Sequence, residues 1–180
     1  QKLAADGRYP VIRMENMIGA DLPLVSSVLG SYPLLGLALG VAPGEPKSAI
    51  LKRFRERAAN PLKPVQVPRD SAPVKQIVLT GDDIDLAKLP IPHHAERDSG
   101  RYITVGVLLL RDPDSGVLNA GMYRHEVQGK DRLACMFNPA HHAGYIYRRC
   151  KELNKRMEAV LFIGHHPAAL LGALGEGSID

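Results

Sequence analysis

The run Arg101–Val127, RYITVGVLLLRDPDSGVLNAGMYRHEV, decides how the rest of the chain is read. Arg101–Asp112 is rich in β-branched and aliphatic residues and predicts a long strand. Pro113–Gly116, PDSG, carries turn chemistry, and Val117–Val127 returns as the hairpin partner. That returning arm is unusual for a core strand, because Asn119, Gly121, Arg124 and His125 all fall within it. Asn119 offers a neutral amide oxygen, a donor suited to a hard cation such as Mn²⁺ or Mg²⁺. Arg124 offers a planar fork that matches a carboxylate or phosphate in two-point contact. The two are five residues apart, so a regular strand would point them to opposite faces. They can share one site only if the strand is irregular between them, and Gly121 is the expected place for a bulge.

Downstream of the hairpin, QGKDR turns into a strand at LACMF (133–137), and NPAHHAGYIYRRCKELNKR (138–156) predicts a loop entering a helix. MEAVLFIG (157–164) then reads as a strand and HHPAALLGALG (165–175) as a small-residue helix. Upstream, KQIVLTG (75–81) predicts a strand, DDIDLAKLP (82–90) a short helical turn and IPHHAERDSG (91–100) a polar loop. Before these lies NPLKPVQVPRDSAPVK (60–75), with four prolines in sixteen residues, an extended crossing or linker. Further back, Tyr9–Met17 predicts a short strand, Leu24–Val41 a buried helix flanked by loops, and Pro46–Asn60 a basic surface helix carrying Ile50, Leu51 and Phe54. Hairpin strands followed by alternating helix and strand predict an α+β fold, not a doubly wound parallel sheet. The expected division is an N-terminal α/β segment with the proline-rich crossing, residues 1–70, and a second part, residues 71–180.

Composition narrows the function. With 180 residues, 45% hydrophobic and 23% charged, the chain is globular and not disordered. A net charge of +4 favours anionic ligands, but no Lys/Arg run exceeds two and there is no Trp, so nucleic-acid binding is not expected. No apolar run approaches the roughly 18 residues of a membrane span. Cys135 and Cys150 form no CxxC motif and predict free thiols in a reducing, cytoplasmic setting. The start at Gln1 and the stop at GEGSID, directly after a predicted helix, lead to the expectation that this is a piece of a longer protein.

All seven histidines, His93, His94, His125, His141, His142, His165 and His166, follow the proline-rich crossing. Six of them form adjacent pairs, each expected to supply one ligand at most, because neighbours on a strand face opposite ways. No HExxH, GxGxxG, P-loop or GxSxG motif accompanies them, which argues against a zinc hydrolase, a dinucleotide or nucleotide site and a serine nucleophile. His141 or His142, in a loop just before a helix, could add a nitrogen to the amide oxygen of Asn119.

The blocks LPIPHHAERDSGRYITVGVLLLRDPDSGVLNAGMYR, HHAG and VLFIGHHPAALLGA together closely resemble the UbiD family of reversible decarboxylases. The resemblance is strong from about Leu89 to Leu174, with the RDPxxGxxNxGxYR block its most specific part. It implies that the second part is the opening portion of a split β-barrel, a flavin-reductase-like domain that binds prenylated FMN. It also implies a divalent metal, usually Mn²⁺, on the cofactor phosphate, with K⁺ nearby. By the same resemblance Asn119 is a metal ligand, Arg124 lies beside cofactor and substrate carboxylate, and Met122 and Tyr123 belong to the strand along the flavin. His141 matches the family's histidine ligand, with His142 as the alternative. The third ligand, a glutamate in the family, would be Glu176, Asp180 or a residue beyond, and the family's catalytic glutamates match nothing here.

The implied activity is non-oxidative, reversible decarboxylation of an aromatic, heteroaromatic or α,β-unsaturated carboxylic acid. The implied partners are that small acid, further copies of the chain in a homo-oligomer, and a flavin prenyltransferase that supplies the cofactor. With the downstream glutamates absent, the chain alone is expected to be inactive. The alternatives are a non-catalytic flavin-binding module and an assembly subunit that needs a partner chain.

Overall fold

The structure, a computed structural model, describes residues 9–175. It divides into two compact units, residues 1–90 and 91–180.

In the first unit, β1 (Ile12–Met14) and β2 (Leu24–Ser26) pair antiparallel, with Ile12 opposite Ser26. Two helices follow, α1 (Tyr32–Ala38), with Pro33 in its first turn, and α2 (Lys47–Ala58). They meet where Gly36 faces Ile50: a Cβ at Gly36 would lie 3.6 Å from Ile50 Cδ1, an ordinary van der Waals distance. Ala38, Leu39, Val41 and Ile50 are this unit's buried apolar residues. The predicted helix over Leu24–Val41 therefore shrinks to its second half. The first part of that stretch finds a ladder partner in β1, and non-local pairing overrides local composition.

Residues 59–90 contain no strand and no α-helix, only single 3₁₀ turns at Arg69–Ser71, Pro73–Lys75, Gly81–Asp83 and Leu86–Lys88. The Asp85 carboxylate accepts from Ala87 N–H at 2.9 Å and opens the last of these. The strand predicted for KQIVLTG does not form. Ile77, Val78 and Leu79 stay exposed and pair with no described strand.

The second unit holds two three-stranded antiparallel sheets, ordered β3-β6-β7 and β5-β4-β8. Their strands are β3 (Tyr102–Ile103), β4 (Val107–Arg111), β5 (Leu118–Met122), β6 (His125–Val127), β7 (Leu133–Cys135) and β8 (Ala159–Phe162). The expected hairpin is present, but both arms change sheet part-way. β4 and β5 pair in one sheet, while their continuations, β3 and β6, pair in the other. At the change-over Thr104, Val105 and Gly106 on one arm stand against Tyr123 and Arg124 on the other, which leaves one residue extra on the first arm. That surplus is a bulge, the usual device for turning a strand from one sheet into another. It sits opposite the arm where the sequence suggested it. Gly121 itself is in regular register with Leu108.

Helix α3 (His142–Glu152) covers one face of the β5-β4-β8 sheet. Ala143, Ile146 and Cys150, at helical spacing, meet Leu108 and Leu110 in the core, with Tyr123, Phe137, Met157 and Leu161 around them. Gly144 is required where the helix start packs on the loop before it: a Cβ there would run into the Asn138 carbonyl. The short helix α4 (Pro167–Ala173) closes the described chain. The fold is thus mixed helix and sheet, as expected, but the sheets of the described residues do not close into a barrel. Both cysteines are free thiols, and no described helix is long and apolar enough to cross a membrane.

Candidate active site

Asn119 lies on β5 directly opposite Leu110, so its side chain shares the sheet face that α3 covers. It is half-buried, and its Nδ2 donates to Nδ1 of His142 at 3.2 Å. This acceptor role requires the His142 tautomer protonated at Nε2. The histidine arrives there because the chain folds tightly ahead of the helix. Asn138 Oδ1 accepts from Ala140 N–H, and Asn138 O from His141 N–H, both at 3.0 Å. His141 is then the extended cap residue (φ −96°, ψ 159°) and makes no side-chain cap bond, whereas His142 is the first helical residue. Sequence matching set His141 first, but the ring that meets Asn119 belongs to His142. Successive residues at a helix start point about 100° apart, so only one of an adjacent pair can face the strand.

A second contact fixes the same helix farther along. Arg149 grips Asp114 in the β4–β5 turn through Nε (2.6 Å) and Nη2 (3.3 Å), and reaches Glu152 through Nη1 at 3.0 Å. The Asp114 carboxylate holds the guanidinium even more firmly protonated than usual. The turn itself is stiffened by the buried Asp112. Its carboxylate accepts from the Ser115 hydroxyl at 2.6 Å and from Asp114 N–H at 3.2 Å, and these bonds, the Ser115 one foremost, lower its pKa.

Tyr123 and Arg124, at the change-over, belong to no ladder. The Tyr123 ring folds back over Gly121, where a Cβ would come within 2.7 Å of it, and meets Phe137 edge-on at 5.5 Å. Burial raises the Tyr123 phenol pKa. Arg124 is exposed, lies over the Tyr102 ring at 5.8 Å from its centroid, and makes no ion pair among the described residues. Met122 is exposed and paired with Val107.

The remaining histidines have structural partners. His93 and His94 bond the carbonyls of Asp98 (3.0 Å) and Tyr102 (3.1 Å), and His165 bonds that of Val105 (3.1 Å). His166 accepts from Ala168 N–H at the start of α4. His125 is buried and donates to the Tyr123 carbonyl at 2.9 Å, and desolvation lowers its pKa, which favours the neutral ring. Among the described residues no group of three His, Cys, Asp or Glu converges as a metal cluster. Glu176 and Asp180, the in-chain candidates for a third ligand, lie outside the described residues. Sequence reasoning missed Tyr102, whose pairing with Glu126 lies past the surplus residue at the change-over and so follows from no local pattern.

Residues 65–176 match the family described as UbiD, 3-octaprenyl-4-hydroxybenzoate carboxy-lyase Rift-related domain. The chain belongs to the UbiD family. It is 34% identical over 170 residues to anhydromevalonate phosphate decarboxylase of Methanothermobacter thermautotrophicus, an alignment covering 94% of this chain and 38% of that protein. Among solved structures it resembles the UbiD-class enzyme HmfF from Pelotomaculum thermopropionicum in complex with FMN. That likeness has a TM-score of 0.87 at 33% identity and covers 99% of this chain and 40% of the other. An evolved dimeric form of the same enzyme, in complex with prFMN, gives a TM-score of 0.81 at 36% identity, covering 88% and 36%. Vanillic acid decarboxylase of Sedimentibacter hydroxybenzoicus gives 0.86 at 27% identity, covering 91% and 36%. The UbiD chain described here thus spans between 36% and 40% of the length of these relatives.

Proposed function

We propose that this chain is the opening part of a prenylated-FMN-dependent decarboxylase that reversibly removes CO₂ from an aromatic, heteroaromatic or α,β-unsaturated carboxylic acid. Membership of the UbiD family supports the reaction class, and relatives solved with prFMN and with FMN support the cofactor. The single observation that carries the reading to residues is the contact between Asn119 and His142. An amide and an imidazole brought together from a strand and a helix start have the donor chemistry for Mn²⁺ or Mg²⁺ once the amide presents its oxygen. They fit such an ion as two of its ligands, with His141 the alternative nitrogen donor and the remaining ligands outside the described residues. K⁺ rests on the family resemblance alone.

When bound, prenylated FMN supplies the electron sink that a departing CO₂ requires. The residues of this chain bind and orient. Asn119 and its histidine would hold the cation, which would supply positive charge to the cofactor's phosphate. The backbone from Gly121 to Arg124, released from the ladder at its last two residues, would border the flavin. Arg124, exposed and without an ion-pair partner among the described residues, would meet the substrate carboxylate with its fork. The two sheets are read as the first part of a split barrel, a homo-oligomer as the working assembly, and a flavin prenyltransferase as the cofactor's source.

Co-production with a flavin prenyltransferase tests the reading. The chain should retain flavin through gel filtration and release no CO₂ by itself. Asn119→Ala and His142→Ala should lose most of the flavin, while His141→Ala keeps it. Unchanged retention in both Asn119→Ala and His142→Ala would reject the anchoring role, and loss confined to His141→Ala would move the ligand one residue back. In a polypeptide as long as the relatives, Arg124→Ala should keep its flavin and exchange labelled bicarbonate about a hundredfold more slowly or worse. Full exchange in that variant rejects the role given to Arg124.

A further inference from the structure

Tyr102 does more than pair β3 with β6. Its hydroxyl lies 2.7 Å from Ser99 Oγ, its N–H donates to the Pro92 carbonyl at 3.2 Å, and its own carbonyl takes the His94 ring at 3.1 Å. In register it stands opposite Glu126, which puts Arg124 one diagonal step away, within reach of an aromatic ring. Arg124 Cζ lies over that ring, 5.8 Å from the centroid.

From this juxtaposition we propose that Tyr102, braced by Ser99, is a positioning residue that holds the Arg124 guanidinium on its ring face and so presents it to a carboxylate ligand. The inference rests on the carboxylate-binding role given to Arg124 above. An aromatic face attracts a guanidinium through the ring quadrupole but takes up no N–H donor. The in-plane donors stay available for two-point contact with a carboxylate, whereas an ion-pair partner would have consumed them. A long exposed side chain otherwise gives up substantial rotamer freedom each time it binds. Resting on a ring fixed at its hydroxyl and its backbone, Arg124 has given up part of that freedom beforehand. The platform itself is rigid because β3 is tied to the loop before it, through His94 and Pro92, as well as to β6.

The test follows the Arg124 Nε–H resonance of the 180-residue chain during titration with benzoate, a plain aromatic carboxylate. In the wild type this signal should carry a ring-current shift and move on benzoate addition. Tyr102→Leu should abolish the ring-current shift and weaken benzoate binding about threefold to fivefold, the range a partly exposed cation–π contact accounts for. Tyr102→Phe, which keeps the ring but loses the Ser99 bond, should keep the ring-current shift and, like Ser99→Ala, weaken benzoate only about twofold. Should Tyr102→Leu fail to fold, Ser99→Ala, on an exposed loop, should broaden the Arg124 signal and weaken benzoate about twofold. Equal benzoate affinity and an unchanged Arg124 signal in Tyr102→Leu, or in Ser99→Ala if that is the folded variant, overturn the positioning role alone. A wild-type Arg124 signal that ignores benzoate overturns the carboxylate-binding role as well as this proposal, so the two failures look different.

Discussion

Lys75–Gly81, KQIVLTG, and Gly106–Asp112, GVLLLRD, are two apolar runs of the same length and similar composition, one in each unit. In the second run β4 is hydrogen-bonded on both edges, to β5 and β8, and its Leu110 is 0% exposed beneath α3. In the first run no strand forms and Ile77 is 80% exposed. The difference lies in the neighbours. An apolar stretch becomes a strand when other strands take up its N–H and C=O groups and a helix covers its face. β4 has both, supplied by a hairpin that folds back after six residues and by chain arriving from position 159 onward.

Substitutions that probe each run should reproduce the contrast. Leu110→Ala should cost about 2–5 kcal/mol, read from denaturant unfolding of the second unit's fluorescence or amide signals. A cost below about 1 kcal/mol would mean that the helix-covered face is not the core. Gly144→Ala instead attacks the fit of the helix start against the loop before it. Because the obstructing atoms are backbone at Asn138, it should cost about 1–3 kcal/mol, and an unchanged midpoint would show that the helix start can shift aside. Arg149→Ala removes the grip on the β4–β5 turn. Loss of a partly exposed ion pair of this kind should cost less than either of those two substitutions, and part of its effect should vanish in high salt.

The same turn gives a pH signature. The folded-state pKa of Asp112 is lowered by its hydrogen bonds, so its contribution is complete above the ordinary aspartate pKa and is lost as pH falls through the folded value. Melting followed from neutral pH downward should show this loss, and Ser115→Ala should flatten it. An identical acid limb in Ser115→Ala would assign the acid loss to other carboxylates. The smallest effect belongs to the exposed run: Ile77→Ala should change stability by less than about 0.5 kcal/mol. Amide exchange sharpens the same point, with Leu108–Leu110 among the slowest sites and Ile77–Leu79 among the fastest. A protected Ile77 would indicate a partner for that run in solution.

Much of the second unit could be read locally. The PDSG turn, the two hairpin arms and the helix with Ala143, Ile146 and Cys150 facing inward each follow from residues close together in the chain. Asn119 stood out for the same reason: an amide on an otherwise apolar strand invites a function. The position of the bulge was harder to read. A surplus residue exists only relative to a partner strand, so no property of Gly121 or Gly106 alone assigns it to one arm. KQIVLTG failed as a strand on the same ground, for its composition names no partner. Which of His141 and His142 meets Asn119 turned on where the first helical turn begins, a matter of one residue that local composition does not fix.

From its sequence alone this chain has its α+β character, its UbiD membership and the residue types of its candidate site, because periodicity, turn chemistry and motif spacing are written along the chain. Which imidazole meets Asn119, where the hairpin changes sheet and which ring carries Arg124 are decided only in three dimensions. Each depends on atoms from segments far apart in sequence coming within a few ångströms, where a shift of one residue reverses the face that a side chain presents.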